Sequence, residues 1–375
     1  MKGIYIHIPF CISKCPYCDF TSFEDGDQKG YIKTIRDEIR LCDAEHMDSV
    51  DTIFFGGGTP TSLMPILIES VLDTLRESFD IKETAEITIE ANPGTVNAKK
   101  LLAYKRAGIN RISFGLQSAD DKELLALGRV HNFKEFEESF RMARKAGFDN
   151  INIDIMFGLP NQKVDGFSKT VRRVIEKNPE HISCYGLKIE KGTEFYKKYY
   201  GTSFLPGDII ERDMYHMARE AFEKSGYNHY ETSNFAKKGM ECKHNLKYWH
   251  AEEYLGFGVS AHSYFIKGGV HIRQGNTSDM SKYIEDISND VMPIDEKNIL
   301  SKKDIQDEYI MLNLRLSTGI NFLDFKSKFG FDFKDKFKSE IKKLLKGGLI
   351  KQDEEGIYPL PKGFDLQNSM IILFL

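Results

Sequence analysis

Apolar and polar residues follow two alternating patterns through the first half of the chain. Short β-type runs are each followed by a longer stretch with helical periodicity. The predicted strands are Gly3–Ile8, Thr52–Phe55, Glu86–Glu90, Arg111–Gly115, Asn150–Met156 and His181–Leu187. The predicted helices between them are Tyr31–Leu41, Ile66–Glu77, Ala98–Ala107, Phe133–Ala146 and Phe167–Lys177. Gly108 and Gly147 follow two of these helices, as glycines at helix C-termini commonly do.

Six consecutive βα units predict parallel strands joined by right-handed crossovers. A complete barrel of this kind needs eight units. We therefore expect an α/β fold built on an open, partial (β/α)6 barrel. The loops that follow the strands would then share one face, where active sites of parallel barrels gather.

The pattern changes after about residue 190. One helix is predicted at Asp208–Lys224, and segments with mixed strand and loop patterns follow it. The last part predicts three helices, a hairpin and a final helix, namely Lys303–Arg315, Asn321–Phe329, Lys334–Leu345, the hairpin around Glu354–Gly356, and a helix near Phe364. We expect a barrel core at 1–190, an extension at 191–295, and an α+β domain resembling a winged helix at 296–375.

Composition restricts the class of protein. Apolar residues make up 41% and charged residues 29%, which is typical of a soluble globular protein. The net charge is −4 and the pI is near 6.2, so the composition does not favour nucleic-acid binding. No stretch is apolar for long enough to span a bilayer, although peripheral membrane contact stays open. Because the N-terminus lacks a signal-peptide pattern, we expect a cytoplasmic protein.

Three of the six cysteines are crowded on the loop after the first predicted strand. Cys11, Cys15 and Cys18 form the pattern C-x3-C-x2-C. Three thiolates can hold three corners of an iron–sulfur cube and leave the fourth iron open to a ligand. The alternatives are a zinc site or three unrelated thiols. Zinc normally takes four ligands, and only His7, upstream on the strand, is a stray candidate for the fourth.

Other polar or glycine-rich segments follow the later strands. The second strand ends in Gly56-Gly57-Gly58-Thr59, which alone fits a tight turn as well as a ligand-binding loop. Glu90, Gln117, Arg129 and Asp154 each lie at or just past a strand end. Singly, each is best explained by an ordinary loop hydrogen bond. Together they form a plausible site, because carboxylates suit ribose hydroxyls or an amine and Arg129 suits a carboxylate.

The cysteine motif and the glycine segment after the second strand resemble the radical-SAM superfamily. The resemblance implies a [4Fe–4S] cluster on the three cysteines, with S-adenosylmethionine (SAM) on its open iron. It also implies an electron donor such as flavodoxin or ferredoxin. The SAM-contacting residues that it implies are Tyr5, Gly57, Gly58, Thr59, Glu90, Gln117, Arg129 and Asp154.

Nearly the whole chain resembles the oxygen-independent coproporphyrinogen III oxidase group. The motifs are Y-x-H-I-P-F-C, G-G-G-T-P-T, E-x-N-P, F-G-x-Q-S, L-G-R-x-H and D-x-M-x-G-L-P. The true oxidases carry a further cysteine where this chain has Phe20, and they have a longer N-terminal arm than the ten residues before Cys11. The segment H-N-x-x-Y-W resembles instead the HemW branch, which is proposed to consist of heme-binding chaperones.

The HemW resemblance implies a protein that binds heme and passes it to hemoprotein acceptors. The implied heme segment contains His244, Asn245, Tyr248 and Trp249, although spacing alone favours packing and capping roles for them. In a helix His244 and Tyr248 would share one face. One alternative function is the oxidase reaction of porphyrin biosynthesis, and another is a radical-SAM enzyme with an unrelated substrate. Enzyme activity stays open, and we expect no coproporphyrinogen oxidase activity.

A second glycine-rich segment, Gly256–Tyr264, matches another stretch that the whole group shares. Its glycines favour a close backbone approach to the cofactor cavity, and a plain loop is equally compatible with the sequence.

Overall fold

The computed structural model describes residues 1–42 and 49–375. The strands are β1 Lys2–Ile8, β2 Val50–Gly57, β3 Ile81–Ala91, β4 Arg111–Gln117, β5 Asn150–Phe157, β6 His181–Gly186, β7 Asn228–Glu231, β8 Asn234–Ala236, β9 Tyr254–Phe257, β10 His262–Lys267, β11 Val270–Asn276, β12 Ile294–Ile299, β13 Ile320–Asn321, β14 Ile350–Gln352 and β15 Gly356–Pro359. The helices are α1 Gln28–Leu41, α2 Pro65–Ser78, α3 Ala98–Arg106, α4 Asp121–Ala126, α5 Phe133–Lys145, α6 Val164–Lys177, α7 Glu194–Tyr199, α8 Asp208–Lys224, α9 Lys243–Trp249, α10 Met280–Ser288, α11 Lys302–Asn313, α12 Phe322–Phe329, α13 Phe333–Lys336, α14 Lys338–Lys346, α15 Pro361–Asp365 and α16 Gln367–Ile372.

The predicted open barrel is confirmed. Strands β1 to β6 are parallel and adjacent in chain order, within one 12-stranded sheet. The sequence did not predict that β9 would pair in parallel with the outer side of β1. Strands β10 to β12 extend that edge with antiparallel pairing, and β8 and β7 extend the edge beyond β6. The sheet thus continues well past residue 190, and the domain boundaries at 190 and 295 stay predictions.

The two faces of the parallel strands have opposite chemistry. On β1 the side chains of Ile4, Ile6 and Ile8 are fully buried in the main apolar core. Complete burial of such a side chain stabilises the fold by about 1.5–3 kcal/mol. The alternate residues, including Tyr5 and His7, face the other side of the sheet, because side chains alternate along a strand. That second face is rich in polar groups and leads into the functional site.

A short helix, α4, lies in the crossover between β4 and β5 and ends just before Leu127. Helix α4 begins at its N-cap Asp120, whose carboxylate accepts from the backbone N–H groups of Lys122 and Glu123. The turn after it contains Gly128 at φ +71°, where a Cβ would lie 2.5 Å from Pro16 of the cysteine loop. Glycine therefore allows this turn to pack on the cysteine loop, and the turn presents Arg129 to it.

The C-terminal region has the predicted α+β composition, and its likeness to a winged helix stays a prediction. Helices α11, α12 and α14 pack with a small sheet of order β13-β15-β14 around a separate apolar core. The prediction of one helix at Lys334–Leu345 was wrong, because Phe337 leaves helical geometry at φ −111° and ψ 27°. Its ring packs on those of Phe333 and Phe374, and this packing separates α13 from α14. The final helix is likewise interrupted at Leu366.

The segment Gly256–Tyr264 packs beside β1 and is held there by hydrogen bonds. The N–H of Gly258 donates to Glu38 Oε2 at 2.8 Å, and Tyr283 Oη donates to the same oxygen at 2.6 Å. Burial raises the pKa of the Glu38 carboxyl to about 7. The hydroxyl of Tyr31 donates to the carbonyl oxygen of His7 at 2.9 Å and accepts from the N–H of Val259 at 3.0 Å. This network joins α1, β1 and the glycine-rich segment.

We predict that Gly258→Ala destabilises the fold more than Gly268→Ala. Both glycines have positive φ, at +106° and +58°. A Cβ at 258 would lie 2.7 Å from the oxygen of His7, whereas nothing lies within 4 Å of one at 268. Urea unfolding should show losses of about 3 kcal/mol and about 1 kcal/mol respectively. Equal losses in the free energy of unfolding would mean that the close packing at Gly258 does not contribute to stability.

Candidate functional site

A cavity of about 640 Å³ opens where the parallel strands β1 to β6 end. Its volume is within the range of small-molecule sites. The structure brings the three cysteines and seven of the eight predicted SAM residues to its wall. The seven are Gly57, Gly58, Thr59, Glu90, Gln117, Arg129 and Asp154. The strand-end face is therefore one continuous site.

The three cysteines are half-buried and reduced. In the described part of the chain, no three His, Cys, Asp or Glu side chains converge closely enough to hold a single metal ion. Thiols that share a cavity without meeting at one point fit a cluster, since each thiolate of a cubane binds a different iron. Burial raises the pKa of Cys11 and of Cys18, so binding of metal there would displace protons.

The glycine-rich loop packs directly on the cysteine loop. A Cβ at Gly58 would lie 2.7 Å from the carbonyl oxygen of Phe10 and 3.0 Å from Cys11 Sγ. The backbone N–H of Thr59 donates to that same carbonyl at 2.8 Å, and its hydroxyl donates to Cys11 Sγ at 3.8 Å. The glycine motif therefore does more than make a turn. It sets the position of the first thiol.

Arg129 lies beside the second thiol. Its Nη1 donates to Cys15 Sγ at 3.7 Å, and its Nη2 donates to the carbonyl oxygen of Gly115 at 2.6 Å and to Asn92 Oδ1. Its buried Nε has no hydrogen-bond partner among the described residues. A guanidinium on the cavity wall with an unused donor suits an anionic ligand group such as a carboxylate. The role of Arg129 toward a SAM carboxylate stays a prediction.

Two half-buried carboxyls, Glu90 and Asp154, lie on another part of the wall. Burial and the nearby Asp154 raise the pKa of Glu90 to about 8, and Glu90 Oε2 accepts from the N–H of Gly57 at 3.2 Å. Burial also raises the pKa of Asp154, which accepts from Asn152 Nδ2 at 2.7 Å and Ser113 Oγ at 3.2 Å. A cationic ligand would favour ionisation of these carboxyls. Together with Arg129, the wall fits a zwitterionic, cationic molecule such as SAM.

Gln117 and Tyr5 differ in their relation to the cavity. Gln117 has φ +63°, a strained value for a residue with a side chain, and its Oε1 accepts from Tyr185 Oη at 3.1 Å. Tyr5 does not line the cavity. Its hydroxyl contacts His7 Nδ1 at 3.1 Å, and its ring lies below Gly56, where a Cβ would be 3.1 Å from Tyr5 and 3.2 Å from Glu90.

Several lining residues were missed by the sequence reasoning. Ser183 and Tyr185 alternate along β6 and face the cavity, so extending the period-two pattern past Asp154 would have found them. Ser233 and Asn234 come from the β7–β8 hairpin, whose antiparallel pairing with β6 left no sequence signal. Asn92 lies in a recognised motif, but its contacts with Thr59 and Arg129 appear only in three dimensions.

The predicted heme segment forms α9 at the opposite end of the barrel. His244 is 1% exposed, with Nδ1 at 2.9 Å from Thr52 Oγ1 and Nε2 at 2.7 Å from Tyr248 Oη. The contact with Tyr248 confirms that these two side chains share one helix face. Burial and then the charge of Lys247 lower the pKa of His244 to about 3, so its imidazole is neutral. Asn245 and Trp249 are half-buried on the same helix.

Glu86 of β3 holds the start of α9. Its two carboxylate oxygens accept from the N–H groups of Lys243 and His244 at 3.2 and 3.1 Å. The ring of His244 also stacks on Phe54, with centroids 5.3 Å apart. Because both ring nitrogens of His244 are engaged, this conformation offers no free nitrogen there for heme iron.

Family models and similar proteins of known name both relate the chain to radical SAM proteins. The radical SAM superfamily model matches residues 5–174, and the HemN C-terminal domain model matches residues 300–366. The chain is 38% identical to the heme chaperone HemW of Bacillus subtilis, over 100% of this chain and 99% of that one. It is 30% identical to the mitochondrial radical S-adenosyl methionine domain-containing protein 1 of mouse, over 100% and 87%.

A solved structure has the same fold. Coproporphyrinogen III oxidase (HemN) from Escherichia coli, described as a radical SAM enzyme, superposes with a TM-score of 0.85. The match covers 99% of this chain and 89% of that one, at 24% identity. In the described residues no helix is both long and apolar enough to cross a membrane.

We predict that His244 contributes strongly to stability. His244→Ala removes a buried ring and two hydrogen bonds, so urea unfolding should show a loss of about 2–4 kcal/mol. Tyr248→Phe keeps the ring but loses one of those bonds, and should cost about 1 kcal/mol. A His244→Ala protein as stable as wild type would show that α9 is not held in place as described.

Proposed function

This chain belongs to the HemW family of radical SAM proteins, and from that membership we propose that it carries heme for delivery to hemoprotein acceptors. In this proposal Cys11, Cys15 and Cys18 hold a [4Fe–4S] cluster, and SAM binds in the same cavity. The observation that carries the cluster and SAM part of the proposal is the convergence of three thiols, a guanidinium and two half-buried carboxyls on one cavity wall.

The chain's own residues have distinct tasks in this site. Arg129 takes the carboxylate of SAM through its unused Nε and keeps a positive charge beside Cys15. Glu90 and Asp154 balance the cationic groups of SAM. Thr59 donates to Cys11, which favours the thiolate over the thiol. When bound, the cluster supplies one electron, delivered by a flavodoxin- or ferredoxin-like donor, for reductive chemistry on SAM.

The proposal favours heme transfer over the oxidase reaction. The wall carries Phe20, which is 69% exposed, where the oxidases resembled here have a further cysteine. Heme binding is suggested by the name of the Bacillus subtilis relative. His244, Asn245, Tyr248 and Trp249 remain the predicted heme segment. Use of His244 as a ligand would require α9 to release its bonds to Thr52 and Tyr248.

We predict that the cluster depends on three cysteines. Anaerobic reconstitution of Cys11→Ala, Cys15→Ala or Cys18→Ala should yield protein with little cluster iron and sulfide, because each thiolate holds one corner. Cys42→Ser is the matched control, since Cys42 is also half-buried but does not line the cavity. Full iron and sulfide content in any of the three cavity variants would remove that cysteine from the ligand set.

We also predict heme binding without porphyrinogen turnover. The reconstituted, reduced protein with SAM should bind heme in an anaerobic titration. It should form no protoporphyrinogen from coproporphyrinogen III, as followed by chromatography of the oxidised porphyrins. A coproporphyrinogen III oxidase assayed in parallel is the positive control. Catalytic formation of protoporphyrinogen by this chain would contradict the chaperone proposal and support the oxidase alternative.

A further inference from the structure

This inference rests on the proposed heme function and concerns where the iron is held. Heme iron takes a neutral imidazole through a ring nitrogen that no protein group occupies. Both ring nitrogens of His7, His181 and His244 are already engaged within the protein. His131 and His229 are buried as well. In the described conformation, the iron of a heme that binds from outside cannot reach the nitrogens of these rings.

His262, the first residue of β10, is different. Its side chain is exposed, and its Nδ1 lies 3.1 Å from the carbonyl oxygen of Ser260. A carbonyl only accepts, so Nδ1 carries the proton and Nε2 has the lone pair. Within the described residues Nε2 has no hydrogen-bond partner. Metal-binding histidines typically show this arrangement, with one N–H on a carbonyl and the other nitrogen available.

Gly275 makes room for this ring. It is the direct partner of His262 across the antiparallel pair β10 and β11. A Cβ at 275 would lie 2.9 Å from Nε2 and 3.0 Å from Cδ2 of the imidazole. Any other residue would therefore push the ring aside. The combination of a fixed tautomer and a glycine beside Nε2 defines a ring that is oriented and still accessible.

The surroundings suit an apolar macrocycle. Ser260, held at φ +57°, contacts Thr21 of the cysteine loop through their hydroxyls at 2.9 Å. Phe20 precedes Thr21, is 69% exposed and also lines the cavity of the three cysteines. Ile12 on the same loop is 62% exposed. The contact between Ser260 and Thr21 joins the segment that carries His262 to the loop that carries Phe20, and an aromatic ring such as that of Phe20 packs well on a porphyrin.

We propose that His262 is an axial ligand of heme bound at the rim of the cysteine cavity, with Phe20 packed on the macrocycle. Heme would then bind on the same face as the cluster and SAM, and α9 would keep its bonds. His262 binds through Nε2, while the hydrogen bond from Nδ1 to Ser260 fixes its orientation.

The test is an anaerobic titration of the reconstituted protein with ferric heme. Binding is followed by the heme absorption band, with the cluster spectrum subtracted, and by the electron paramagnetic resonance of the ferric heme. His262→Ala should weaken binding by about tenfold or more and lose the histidine-ligated signal. Added imidazole should restore that signal. His271→Ala is the matched control, since His271 is a half-buried histidine on β11 with Nδ1 on Tyr264 Oη, and it should bind as wild type.

Two further variants keep the proposal testable if His262→Ala folds poorly. Gly275→Ala should displace the ring and weaken binding, and Phe20→Ala should weaken binding while keeping the histidine signal. The proposal would be overturned if His262→Ala kept the wild-type heme affinity and the histidine-ligated signal. It would also be overturned if only folded His244→Ala protein lost that signal, which would instead support His244 of α9 as the heme ligand. If the wild-type protein binds no heme, the proposed function fails and this assignment fails with it.

Discussion

The site depends on the close packing of the Gly58 backbone against the cysteine loop. Because residue 58 has no side chain, the next residue, Thr59, reaches Cys11. Asn92 Nδ2 then donates to Thr59 Oγ1 at 2.8 Å, and Arg129 joins Asn92 to Cys15. The result is a chain of contacts from the first thiol to the second, through groups that follow three different strands. Parallel strands that end on one face make such a chain possible.

The charges of the wall are arranged for a ligand that carries both signs. Arg129 keeps an unused donor near the thiols, while Glu90 and Asp154 are half-buried carboxyls whose pKa values are raised by desolvation. Burying such groups costs free energy unless a partner compensates them. The polar interior of the barrel continues to α9, where Glu86 caps the helix and His244 is enclosed. The two ends of the barrel thus differ. The strand-end face is open, and the α9 end is closed.

Much of the fold could be predicted because six βα units leave clear periodic patterns. The start and end of α8 and the start of α5 were predicted to the residue. Strand β9 was missed, since a four-residue strand that pairs with a partner about 250 positions away leaves no local signal. The break at Phe337 depends on ring packing rather than on local propensity. Of the eight residues predicted to contact SAM, seven line the cavity, and their roles stay predictions. The position of Tyr5 outside the cavity wall and the enclosure of His244 could not be predicted, because both depend on contacts between residues far apart in the sequence.

The central claim is that three thiolates hold the cluster and leave one iron for SAM. The most direct measurement is the Mössbauer spectrum of protein reconstituted anaerobically with ⁵⁷Fe, recorded with and without SAM. The account predicts a [4Fe–4S] spectrum in which SAM changes the parameters of one iron site and leaves the others unchanged. A spectrum that SAM does not alter, or thiols that hold zinc instead of iron, would contradict it.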